Sequence, residues 1–173
     1  DFQTAVHELL GQTITPLSYA PSKAVVHEEK TKEFKLPEAN SNMHRVYAYL
    51  IKQRFIDPNI ISHFAKQHTL YEDKEHHNAV FVGVDENGVP RQAHKRSTNS
   101  FGNAFRITCE GSDTRYSFSH FGKSEKLFVF EAPIDMMSFL TLYPKGWQKH
   151  SYIAMNGVYE NAVLTGLKSH SNL

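Results

Sequence analysis

The residues best placed to do chemistry gather in "KLFVFEAPIDMMSFL", Lys126 to Leu140. Leu127 to Phe130 is a continuous apolar run, short enough for a strand buried on both faces. Glu131 follows it at once, and Asp135 comes four positions later. "PIDMMSFLTLY" has helical spacing, with Ile134, Met137 and Leu140 facing one way. Glu131 therefore falls at the carboxyl end of a strand, and Asp135 in the first turn of a helix, where the helix dipole favours negative charge. Routine helix capping competes for Asp135. It does not account for Glu131, which breaks an apolar run where strand meets helix. "SYIAM" then reads as a second short buried strand, Asn156–Gly157 as a turn, and "ENAVLTGLKSH" as a further helix. Strand, helix, strand with buried strands is the βαβ unit of a parallel sheet. Ligands of such sheets bind at the carboxyl ends of the strands. Glu131, Asp135, Asn156 and the Gly157 backbone are thus expected around one crevice. Hard oxygen ligands there suit Mg2+ or Mn2+, which take one or two protein carboxylates and leave positions for phosphate.

Cations precede this unit. Arg91, Lys95 and Arg96 fall on one predicted strand and its exit, and Arg106 and Arg115 on those that follow. Arg91 and Lys95 have the same parity, so they share a face. Such a group beside a metal crevice can hold a phosphate backbone or a nucleotide triphosphate; a solvated sheet face is the competing reading. Phe101, Phe105, Tyr116 and Phe118 are candidates for base stacking or for the core.

The elements that hold these residues read as an α+β chain. "MHRVYAYLIKQRF" predicts a helix with Val46, Tyr49, Leu50 and Phe55 on a broad face. "IDPNIISHFAKQ" predicts another, capped by Asp57, with Pro58 at its first position and Ile60, Ile61 and Phe64 inward. The period then changes to two. "AVFVGVDENGVPRQAHKRS" reads as strand, Asp85–Gly88 turn, strand, and "AFRITCEGS" and "RYSFSHF" as two shorter strands of the same small antiparallel sheet. A parallel pair from "KLFVF" and "SYIAM" is too small alone, so it is either incomplete here or completed by the antiparallel strands. Ahead of all this, "DFQTAVHELLGQ" has helical spacing and begins without a lead-in, as if cut from something longer; Thr13 to about Asn42 reads as an extended connector. The expected organisation is a terminal helix and connector over 1–42, a helical pair with a small antiparallel sheet over 43–122, and a partial α/β (βαβ) unit over 123–173.

Composition sets the bounds. The chain has 173 residues, 40% hydrophobic and 12% aromatic, enough for a packed core. Its net charge of +1 neither demands nor excludes nucleic acid. The single cysteine, Cys109, rules out an internal disulfide and a multi-cysteine zinc ribbon within the chain, and fits a reducing, cytoplasmic setting. No apolar run approaches the roughly 20 residues of a membrane span, so no membrane partner is expected. Eleven histidines invite a metal reading, but no His-x-x-x-His or Cys-x-x-Cys pair supports it. They read as surface or hydrogen-bonding histidines, with no zinc.

"LFVFEAPIDMMSFL" resembles the first motif of the Toprim domain: a hydrophobic strand, a glutamate, a small residue and an aspartate four positions on. "SYIAMNGV" resembles the second Toprim strand and its turn. "YLIKQRFIDPNIISHF", "HNAVFVGVDENGVPRQAHKRST" and "EGSDTRYSF" resemble the primase-like domain of unknown function that precedes Toprim in proteins of conjugative plasmids, integrative elements and phages. The resemblance covers roughly residues 43 to 173 and has two adjacent blocks in the expected order. It implies that Glu131 binds metal or moves a proton, and that Asp135 is a second metal ligand. The family's remaining ligands come from an Asp-x-Asp motif, which this sequence does not contain. The implied site is half present, with weak Mg2+ or Mn2+ binding, and any activity is expected of a longer parent. The implied chemistry is primase-type nucleotidyl or phosphoryl transfer in DNA replication; the alternatives are a Toprim nuclease and a non-catalytic nucleic-acid-binding module. The implied partners are single-stranded DNA or nucleotides, and the helicases or relaxases of a mobile element.

Overall fold

A computed structural model describes residues 33–99, 104–157 and 160–173. The helix expected over residues 2–10, most of the 13–42 connector and Phe101 lie outside the described residues. Helix α1, His44–Lys52, buries Val46, Tyr49 and Leu50. Met43 at its N-cap offers no side-chain hydrogen bond. The carboxylate of Glu72 does that work from a neighbouring strand, accepting from the Arg45 and Val46 amides at 2.9 and 3.1 Å. Glu72 also accepts from Asn40 Nδ2 at 2.9 Å and lies 2.6 Å from His77 Nδ1. These bonds more than offset its burial and hold its carboxyl below the usual range.

Phe55 does not share the α1 face. The helix stops at Lys52, the chain turns at Phe55 with a φ of 56°, and the ring is 79% exposed. Ile56 takes the buried place instead, its amide closing onto Leu50 O at 3.0 Å. The tight reversal into the next helix requires this left-handed step, and it turns the Phe55 side chain outward. Helix α2, Pro58–Lys66, begins as predicted: Asp57 accepts from the Asn59 amide at 2.7 Å, and Ile60, Ile61 and Phe64 are buried. It ends at His68, also left-handed, with Thr69 N bonded to Phe64 O and His68 N to Ala65 O. This is the Schellman pattern, with histidine where glycine is usual.

Four antiparallel strands follow in the order β1-β2-β3-β4: Leu70–Glu72, Ala79–Val84, Pro90–Arg96 and Arg106–Thr108. The first was not predicted. One face, with Leu70, Ala79 and Phe81, joins the main core beside α1 and α2. The other, with Val80, Val82 and Ala93, forms a smaller cluster with Phe34, Tyr71 and Cys109.

The second sheet has the order β5-β7-β6: Ser119–His120, Ser151–Ala154 and Leu127–Phe130. β6 and β7 are parallel, joined across helix α3, Pro133–Leu142; β5 runs antiparallel to β7. "RYSFSHF" therefore completes the parallel pair rather than extending the first sheet. Being an edge strand, β6 is not buried on both faces, and Val129 is 42% exposed. The central β7 is buried at all four positions. Helix α4, Asn161–Ser169, follows. Thr31–Leu173 forms one compact unit, and Val46, Phe81, Phe118, Met137 and Tyr152 belong to a single hydrophobic cluster. The segment leading into β5 touches β2 closely at Gly83, where a Cβ would lie 2.6 Å from the Ser117 amide nitrogen.

Candidate metal and nucleic-acid site

The carboxyl ends of β6 and β7 are zipped together by their backbones. Met155 N donates to Phe130 O at 2.8 Å, and Gly157 N to Glu131 O at 3.1 Å. Glu131, Asn156 and Gly157 are thereby brought to one edge. Asn156 is left-handed, with a φ of 58°. Its Nδ2 donates to Gln92 Oε1 on β3 at 2.9 Å, which ties this edge to the first sheet. Its Oδ1 is buried without a hydrogen-bond partner among the described residues.

Asp135 occupies the first turn of α3. Ala132 at the N-cap has no oxygen to offer, and Pro133 at the first position has no amide hydrogen. Asp135 lines a pocket of about 120 Å³ with His94, Arg54, Arg96 and Arg106. Arg96 and Arg106 are directly paired across β3 and β4, so both side chains lie on one face. Arg106 Nη1 lies 3.6 Å from Glu131 Oε1. His94 shares their parity. Burial first, then the charges of Arg106 and Arg96, pull its pKa down to about 4. At neutral pH it is an uncharged imidazole beneath two guanidinium groups.

The predicted cations therefore divide. Arg96 and Arg106 stand at the crevice with the two acids. Arg91 and Lys95 take the other parity and point to the opposite face of β3. Arg91 is bound to Asp85 at 2.7 Å, and Lys95 lies 3.9 Å from Asp73. Arg115 is bound to Asp113 at 2.7 Å. Of the aromatic candidates, Phe118 is core, Tyr116 half-buried and Phe105 exposed. Sequence reasoning missed Arg54 and His94. His94 was within reach, since it alternates with Gln92 and Arg96. Arg54 was not, because its place depends on the turn after α1.

Among the described residues, no three or more His, Cys, Asp or Glu side chains stand close enough to hold a metal ion. Glu131, Asp135 and the buried, unpartnered Asn156 Oδ1 are all hard oxygen donors. That set fits part of a shell for Mg2+ or Mn2+, which binds through one or two carboxylates and otherwise through water and phosphate. No helix among the described residues is long and apolar enough to cross a membrane.

Two stretches of the chain match known families. Residues 48–124 match the family described as "Protein of unknown function (DUF3991)", and residues 128–173 match the family described as "Toprim-like". An uncharacterized protein of Bacillus anthracis, whose name carries the plasmid designation pXO2, is 26% identical over 124 residues. That match covers 68% of this chain and 36% of the relative, so the chain spans about a third of the relative's length. No solved structure matches the chain.

Proposed function

The chain carries a DUF3991 region followed by a Toprim-like region, and we propose that it is the metal-and-phosphate-handling part of a DNA-processing protein of a mobile element. Toprim-like regions belong to metal-binding, nucleic-acid-processing proteins. The finer reading is primase-type nucleotidyl transfer. In it, Glu131 and Asp135 hold a divalent ion, and Asn156 and the Gly157 backbone line the same edge. The ion would neutralise phosphate oxygens and orient them for displacement. Residues 43–122 position the nucleic acid, and residues 123–173 supply the acids.

One observation carries the reading. Two carboxylates lie at the carboxyl edge of a parallel strand pair, inside the Toprim-like segment, with Arg54, Arg96 and Arg106 beside them. Cations next to acids are what a metal-bridged phosphate calls for, since the ion and the guanidinium groups share its charge.

The test is a Mn2+ titration followed by paramagnetic broadening of amide resonances. Broadening is expected at Glu131, Asp135 and Gly157, weak in affinity and lost in Glu131→Gln. Broadening centred on His76 and His77 instead would put the metal elsewhere. With two carboxylates alone, this chain is expected neither to synthesise primers nor to nick DNA. Either activity, undiminished by Glu131→Gln, would refute the assignment.

A further inference from the structure

Two guanidinium groups converge on one phenol. Arg54 Nε donates to Tyr49 Oη at 2.9 Å, and Arg96 Nε reaches the same oxygen at 3.3 Å. The Arg54 guanidinium also lies over the Tyr49 ring, 5.3 Å from its centroid. Tyr49 is itself 3% exposed, so the anchor is fixed by the core while the cations face out. Neither arginine has a carboxylate partner among the described residues. Holding two like charges side by side is unfavourable unless an anion is brought to them.

The same tyrosine lines a second, shallower groove with Arg45, Lys52 and Asn99. Arg45 and Lys52 are seven residues apart on α1, two turns and about 10 Å along one face. Arg45 Nη2 reaches Asn99 Oδ1 at 3.5 Å, and neither cation has a carboxylate partner among the described residues. Arg54 and Arg96 of the pocket beside Asp135 are hydrogen-bonded to Tyr49 of the groove along α1, so the two are linked through that phenol. Together they contribute Arg45, Lys52, Arg54 and Arg96, none of them in an ion pair with a carboxylate among the described residues. Phe55, next in the chain to Arg54, is turned outward by a backbone conformation that aromatic residues seldom adopt.

We infer that Arg45, Lys52, Arg54 and Arg96 form a track for the phosphates of a single-stranded nucleic acid, with Phe55 as a stacking platform for one base, leading to the edge that carries Glu131 and Asp135. The inference rests on the nucleic-acid reading above, but not on metal. The track explains why these four cations are left open while their neighbours are neutralised. A lone nucleotide would fill only the pocket beside Asp135 and would not engage α1. A duplex would make no use of an unpaired aromatic ring, whereas a single strand offers a base face to it.

The test is fluorescence anisotropy of a labelled oligothymidylate of about twelve nucleotides, in EDTA, from about 50 to 200 mM NaCl. Four phosphate contacts on a single strand give a log–log salt slope of about −3. Arg45→Ala with Lys52→Ala is expected to halve that slope and to weaken binding about tenfold at low salt. Phe55→Ala is expected to weaken binding about fivefold or more with the slope unchanged. Binding measured in EDTA needs no metal, which separates this inference from the metal assignment. An oligouridylate run in parallel assigns DNA or RNA, and binding of either through these residues supports the track. Three results would overturn it: no effect of the Arg45/Lys52 pair with circular dichroism unchanged, tighter binding of the matching duplex, or full competition by ATP at equimolar concentration.

Discussion

Lys95 and Arg96 are neighbours on β3 that serve opposite ends. Lys95 points to the face where acids are already waiting: Asp73 lies 3.9 Å away, and two positions earlier along the same parity from Ala93, Arg91 is clamped by Asp85. Arg96 points to the other face, where its partners are a tyrosine hydroxyl and another arginine across the strand pair. On the first face the charges are used up within the fold. On the second, Arg96 remains available, and Arg106 lies 3.6 Å from Glu131. Counting basic residues along the strand cannot separate the two, because a strand reverses side at every residue. A cation is informative about a ligand only after its intramolecular partner is known.

The largest effect should appear on the neutralised face. Asp73 is almost fully buried and accepts from the His76 amide, the Asn78 amide and Asn78 Nδ2 at 2.8, 3.2 and 3.0 Å. Asp73→Ala leaves those donors buried or half-buried with no acceptor and Lys95 without its counter-charge. A loss of about 3 kcal/mol is expected by urea unfolding. Arg96→Ala, on the open face, should cost about 1 kcal/mol or less, since only a long hydrogen bond to Tyr49 is lost. Equal losses at the two positions would mean that both faces are structural, and the contrast drawn between them would fail.

How far the sequence carried this contrast follows from range. The switch from period two to an unbroken apolar run marked the βαβ unit, and the stop at Glu131 marked its edge, because both are local patterns. Asp57, Pro58 and the turn after Asp85 were legible for the same reason. β1 was not, since three residues directly after a helix carry no readable period. The edge position of β6 was also hidden. "LFVF" and "SYIA" look alike as apolar runs, and only the pairing order decides which is central. The open cations needed both parity and distant partners: Arg96 meets Tyr49 across 47 positions. Glu72 capping α1 from 27 positions away is the same kind of long-range fact.

A pH titration sharpens the contrast from the open side. His94 lies among the open arginines and is held neutral, its pKa pulled from 6.5 to about 4 by burial and then by Arg106 and Arg96. A group with a depressed histidine pKa binds more protons unfolded than folded between those two values. Its contribution is therefore fully present above pH 6.5 and is lost as pH falls toward 4, by about 3 kcal/mol at most. Burial also lowers His63 and His120, so they add to the same limb. The depressed carboxylates Glu72 and Asp73 act lower, as pH falls below their ordinary range. His94→Gln should flatten the limb between about pH 6.5 and 5. Phosphate or oligonucleotide should raise the His94 pKa, read from its imidazole proton shifts, because an anion at Arg96 and Arg106 offsets two of the three causes that depress it. An unmoved His94 in the presence of bound oligonucleotide would place the phosphates off this face.

The smallest effect separates strain that serves folding from strain that serves a ligand. Phe55 and His68 both end a helix with positive φ, 56° and 58°. At each, glycine would relieve the unfavourable left-handed conformation, with a gain of about 0.5–1 kcal/mol after its greater freedom in the unfolded chain is set against it. His68→Gly should give that gain and leave oligonucleotide binding unchanged, since His68 only closes the Schellman turn, its amide bonded to Ala65 O. Phe55→Gly should give a similar gain in urea unfolding and at the same time weaken oligonucleotide binding about fivefold, because the stacking ring is gone. The two substitutions share backbone chemistry and differ only in what the side chain faces. If both leave binding untouched, Phe55 is an exposed cap residue like His68. If Phe55→Gly stabilises and weakens binding together, its ring is kept outward at a cost to the fold that only the ligand offsets.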